Sequence, residues 1–242
     1  MATAKGADSE VFPNAPLVEA VFEIKFNGAL SVDCNKHKIQ HHFRKRFPLL
    51  GVPSLPSAGP HPLAAPLRLS NTNDTELVQF SVTNFSYHLK KYTRFAEFKR
   101  KGIAACQSFM RLAELEAFER VGLRYVDRIP VLRQGGLIPL NRYLNFRFQL
   151  PEAIPEKLEQ FSVRLITKLG PGELRTNLIL QQSSDANKNE WIVLDFDFIT
   201  FGHMKLNDLG RCLDAAHKHT KSVFMSLISK EYLQVMRQQG EA

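Results

Sequence analysis

Apolar and polar residues alternate along LVEAVFEIKF, residues 17–26. Val18, Ala20, Phe22, Ile24 and Phe26 fall on one side, and Glu19, Glu23 and Lys25 fall on the other. A period of two is the signature of a strand with one face on a core. The period then lengthens. Ile39, Phe43 and Phe47 stand four apart, which predicts a helix over 34–47, capped by Asp33 and stopped by Pro48. ELVQFSVT (76–83) and NFSYHLK (84–90) read as two strands of a tight hairpin. A helix follows over 95–118, with Phe98, Cys106, Phe109, Met110 and Ala113 near one face. Gly102 inside it is expected to weaken it by about 1 kcal/mol relative to Ala.

VGLRYVDRI (121–129) returns to strand. Residues 130–160 are punctuated by Pro and Gly, with a short segment around 142–150 whose type the pattern leaves open. Three more strands are expected at 161–169, 173–181 and 191–198. The turn 170–172 joins the first pair, and the loop 183–189 joins the second. A last helix is expected from 207 to about 230. Its apolar side holds Leu209, Leu213, Ala216, Thr220, Phe224, Leu227 and Ile228. Short links between successive strands imply antiparallel pairing. The expected fold is α+β: a curved, mainly antiparallel sheet of about seven strands packed against three helices. It forms a single domain over 15–236. Residues 1–14 are expected to be a flexible tail, and 48–66, with six prolines, a connecting loop.

Composition changes this picture in three ways. A chain of 242 residues, 44% hydrophobic with 18 Phe, can bury a core without staples. Cys34, Cys106 and Cys212 are far apart and odd in number, which argues against a disulfide framework or zinc knuckle. The segment MATAKGADSE lacks the apolar stretch of a signal peptide, and no apolar run reaches the roughly 18 residues of a membrane helix. A cytoplasmic protein with no membrane partner is the expectation.

Charge adds a fourth. The net charge is +8, yet the windows 36–46 and 90–101 alone carry +10, leaving −2 elsewhere. Lys36, Lys38, Arg44, Lys45 and Arg46 lie in the first window, and Lys90, Lys91 and Arg94 open the second. Basic clusters of this kind suit phosphates, and His88, Tyr92 and Phe95 interleave as candidate stacking residues. The competing reading is a solvated helix face and a charged loop.

Strand periodicity also gathers candidate ligand-binding residues. Glu19 and Glu23 share one strand face, Arg124 and Arg128 another, and Asp195 and Asp197 a third. If these strands are neighbours, one sheet face carries all six. Such a face is either a lattice of cross-strand ion pairs, a polar groove for a phosphorylated ligand or a subunit interface. Two aspartates without a third ligand are poor evidence for Mg²⁺. His37 and His41 (HKIQH) lack the glutamate of a zinc-protease helix. GxSxG, P-loop and GxGxxG motifs are absent, and Cys106 lies on an apolar helix face where a thiol is inert. No catalytic residue, metal or cofactor is expected, and the balance leans away from an enzyme.

Four segments carry a resemblance: NAPLVEAVFEIKF (14–26), VGLRYVDRI (121–129), WIVLDFDF (191–198) and LDAAHKHTKSVFMSLIS (213–229). In series they resemble a sporadically distributed bacterial family of uncharacterised proteins, often encoded near mobile elements and antiviral defence genes. Asp127 stands where that family usually has Asn. The resemblance implies a non-catalytic binding or adaptor protein of a defence or toxin–antitoxin type system, acting through protein or nucleic-acid contact. The alternative is an enzyme or sensor that binds a phosphorylated small molecule, such as a nucleotide, on the charged sheet face.

Overall fold

The computed structural model describes residues 12–51, 66–149, 151–153, 158–169 and 174–238. Most of the expected tail, the bulk of the Pro-rich connection and the 170–172 turn lie outside these residues. In chain order the elements are β1 (Leu17–Lys25), α1 (Leu30–Cys34), α2 (Lys36–Phe43), β2 (Leu49–Gly51), β3 (Leu67–Ser70), β4 (Glu76–Phe80) and β5 (Asn84–Leu89). They continue with α3 (Phe95–Leu112), β6 (Phe118–Pro130), α4 (Leu140–Tyr143), β7 (Ser162–Leu169), β8 (Leu174–Ser184), β9 (Glu190–Met204), α5 (Leu206–Leu227) and α6 (Lys230–Arg237).

All the strands join one antiparallel sheet in the order β2-β3-β4-β5-β1-β6-β9-β8-β7. The α+β class and its large antiparallel sheet therefore stand. The counts do not: among the described residues there are nine strands and six helices, not about seven and three. β2, at the edge, and β3 beside it have only three and four residues, too short to show a period. The expected 34–47 helix splits at Asn35, whose φ of −98° and ψ of 8° interrupt it. Asp33 is thus no cap; it lies in α1 and pairs with Lys36. The final helix breaks at Ile228, and Ser229 caps α6 by accepting from the Tyr232 N–H at 3.0 Å. The 95–118 helix ends earlier, at Leu112, where Glu114 takes a positive φ of 58°.

The helices cover one face of the sheet, and the core beneath them has two parts. The larger joins Phe22, Ile24, Phe85 and Tyr87 to Ile39 and Phe47, to Phe98 and Phe109, and to Leu209 and Leu213. The smaller joins Ile129, Leu180, Ile192 and Leu194 to Tyr143, Ile228, Tyr232 and Met236. Along β6, Tyr125 belongs to the first part and Ile129 to the second, with Asp127 between them. Along α5, Ala216 belongs to the first and Val223 packs on the second, with Thr220 between them. Both intervening side chains are polar and buried. Among the described residues the Thr220 hydroxyl has no hydrogen-bond partner. Burial pushes the Asp127 carboxyl up to about 8.

Gly102 has a packing role. A Cβ there would collide with the ring of Phe22, lying 2.9 Å from its Cδ1 and 3.0 Å from Tyr87 Cδ1. The residue that the helix pattern marks as a weakness is what lets α3 settle onto β1 and β5.

Candidate functional site

The sheet face turned away from the helices carries the ladder that the alternation implies. β1, β6 and β9 are adjacent, with Val21 opposite Arg124 and Arg124 opposite Asp197. Glu19, Glu23, Arg124, Arg128, Asp195 and Asp197 therefore all share this outer face, as a period of two requires. Most of their charges meet partners. Arg124 grips Asp195 bidentately, Nε to Oδ1 and Nη2 to Oδ2 both at 2.7 Å. This fork-to-fork contact holds the Arg124 guanidinium above its ordinary value. Glu19 accepts from His88 Nδ1 at 2.9 Å, a bond that lowers its carboxyl against the opposing effect of burial. Arg128 lies 5.7 Å over the Trp191 ring.

Two members of this lattice were not among the expected site residues. Arg120 bridges β1 and β9, bonding Glu23 on one side and Asp197 Oδ2 at 3.2 Å on the other. His88 continues the row on β5 and also meets Ser86 at 3.0 Å. Arg120 continues the spacing of Arg124 and Arg128 by four, and the signal was hidden because the strand begins at Phe118, before the expected start. Gly122 leaves the space that the bridge crosses: a Cβ there would lie 3.2 Å from Asp197 Oδ1 and 3.4 Å from Arg120 Nη2. Burial still raises the Asp197 carboxyl, with Arg120 opposing. The expected residues of this face are thus largely taken up in cross-strand pairs, while farther along it, on β8 and β7, Arg175 and Lys168 have no carboxylate partner among the described residues.

The basic stretches behave differently. α2 touches α3, and the ends of the two stretches converge on one hairpin end. Arg46 bonds Glu76 at the start of β4, and Lys90 bonds Asp74 two residues earlier at 2.5 Å. Glu76 lies opposite Leu89, next to Lys90. Lys36 pairs with Asp33, Lys99 with Asp214 at 2.6 Å, and Lys101 with Glu97 at 2.6 Å. The remaining six, Lys38, Arg44, Lys45, Lys91, Arg94 and Arg100, are exposed, and among the described residues they make no ion pair or side-chain hydrogen bond.

The interleaved aromatics do not serve this surface as expected. Tyr92 packs against Phe98 and Tyr125, and its hydroxyl is pushed up to about 12 by burial. Phe95 stacks on His217 with centroids 3.9 Å apart. His88 is occupied on the outer sheet face. His217, half-buried, also bonds the Tyr125 hydroxyl at 3.0 Å.

Cys106 is fully buried, and its thiol is pushed up by desolvation, so it is a poor nucleophile. Among the described residues no group of three His, Cys, Asp or Glu side chains is arranged to hold a metal. Among the same residues no helix is long and apolar enough to cross a membrane. No protein-family model and no curated protein matches the chain.

Proposed function

We propose that the protein is a non-catalytic binding protein whose partner is a nucleic acid, held on the surface formed by α2 and by the segment from Lys90 into α3. The observation that supports this reading most is the set of six exposed cations without an ion pair among the described residues, on two touching helices and the segments that adjoin them: Lys38 in α2, Arg44 and Lys45 just after it, Lys91 and Arg94 just before α3, and Arg100 in α3. An exposed cation without a partner retains its counterions until a polyanion displaces them, and that release drives binding. A bacterial defence or toxin–antitoxin setting is carried by the four-segment resemblance alone. A phosphorylated small molecule on the outer sheet face is the weaker reading, because the guanidinium best placed to hold it, Arg124, is already bonded bidentately to Asp195.

The test is fluorescence anisotropy with labelled single- and double-stranded oligonucleotides across a salt series. Six phosphate contacts set a limiting slope of log K against log salt of about −5 on duplex and about −4 on single strands. The variant with Gln at Lys38, Arg44, Lys45, Lys91, Arg94 and Arg100 should bind at least tenfold more weakly and with a shallower slope. Affinity that ignores salt, or that survives in this variant, overturns the proposal.

A further inference from the structure

A cavity of about 530 Å³ opens between the 134–139 loop, α4 and the Phe146–Phe148 segment, on the far side of the smaller core part. Its size is that of a small-molecule site. Most of its lining residues are apolar, Leu137, Ile138, Leu140, Phe146 and Phe148 among them, while Gln134, Asn141, Arg147 and the backbone make the surface that faces the cavity about half polar. Arg147 is the only charged side chain among the described lining residues. Arg147 makes no ion pair or hydrogen bond among the described residues, and the rim side chains of Gln134 and Asn141 make no hydrogen bond there either.

The walls are held before any ligand arrives. The Ile138 N–H donates to the Leu158 carbonyl at 2.9 Å. Arg133, just behind the loop, donates to Gly136 O at 2.6 Å and Glu159 O at 3.0 Å, and it pairs with Glu190 on β9 at 2.6 Å. α4 is tied to α6 through Arg142 and Glu231 at 2.7 Å. A site whose loops are already fixed loses little ordering entropy on binding.

We infer that this cavity binds an apolar monocarboxylate, its hydrocarbon body against the Phe146 and Phe148 side and its carboxylate on Arg147. The charge of the lining selects the head group. Among the described lining residues one unpaired guanidinium and no acid favour a carboxylate over an alcohol and disfavour an ammonium. The aromatic and aliphatic walls select the body: each buried CH₂ contributes about 0.8 kcal/mol. This site is separate from the basic surface, so the two proposals succeed or fail independently.

The test is calorimetric titration of the full chain with decanoate, decanol and decylammonium, each below its aggregation threshold. Decanoate should bind with one-to-one stoichiometry, decanol about fivefold more weakly, and decylammonium not at all. Arg147→Met should abolish the preference of acid over alcohol while leaving alcohol binding in place. Asn141→Trp, an exposed rim substitution, should block all binding without moving the thermal midpoint of the free protein. Equal affinity for decanoate and decylammonium, no saturable decanoate binding, or decanoate binding unchanged in both variants overturns the inference.

Discussion

The outer sheet face and the α2–α3 surface hold similar kinds of residue and treat them in opposite ways. On the sheet, Arg120, Arg124 and His88 each find a carboxylate one strand away, because the register sets Glu19, Glu23, Asp195 and Asp197 beside them. On α2, α3 and their flanking segments, Lys38, Arg44, Lys45, Lys91, Arg94 and Arg100 form no ion pair among the described residues, although Arg100 lies near Glu97. Charge density by itself does not mark a binding surface; unsatisfied charge does. Asp127 supplies the third case, a buried carboxyl with no cation beside it among the described residues. There the group gives up its charge, since an isolated buried carboxylate is too costly to keep ionised.

That third case offers the largest expected effect. The Asp127 carboxyl titrates near 8 in the fold and near 3.8 when free. The folded state therefore holds the proton that the unfolded chain releases. Stability from this group is intact below pH 3.8, falls as pH rises, and reaches its full penalty above pH 8. Asp127→Asn should flatten that fall, raising stability at pH 8 and above by on the order of 3–5 kcal/mol. Denaturant midpoints of both proteins across the pH range check it, and parallel curves contradict it. Thr220→Val, which removes the unpartnered hydroxyl at the same seam, should be neutral or stabilising by about 1 kcal/mol.

Next in size is Arg120→Ala. It leaves Asp197 without its closest cation on the half-buried face, while Glu23 keeps Asn84 and Lys25, and should cost about 1–3 kcal/mol in chemical denaturation, with no change in nucleic-acid affinity. A loss of affinity instead would move the binding site to the sheet. Gly102→Ala should also destabilise, by about 1–3 kcal/mol, because the added methyl meets Phe22 and Tyr87. A gain of about 1 kcal/mol, the ordinary helix effect, would show that α3 sits less closely than described. The smallest effect belongs to Arg124→Ala. Its guanidinium is half exposed, and the pair with Asp195 should be worth less than about 1 kcal/mol, lost further in high salt.

Periodicity made the central strands and the composition of the outer face legible before any coordinates. Glu19, Glu23, Arg124, Arg128, Asp195 and Asp197 fall together because a two-residue period leaves them no other side once β1, β6 and β9 are neighbours. Partner choice was not legible. It depends on register: Arg124 stands opposite Asp197 yet reaches diagonally to Asp195, leaving Asp197 to Arg120. The short strands β2 and β3 carry too few residues to display a period. The division of the last helix turned on Ser229, whose capping role reads in sequence only as one more polar residue. The Gly102 contact with Phe22 joins residues eighty apart, and helix propensity pointed the wrong way because tertiary packing overrides it.

Lysine reactivity tests the central claim most directly. The protein is acetylated briefly with and without a saturating oligonucleotide, and each lysine is scored by mass spectrometry. Lys38, Lys45 and Lys91 should be protected, while Lys25 and Lys168, exposed on the sheet, should react as before. Protection of Lys25 or Lys168 with Lys38, Lys45 and Lys91 left reactive would place the partner on the paired face and contradict the account.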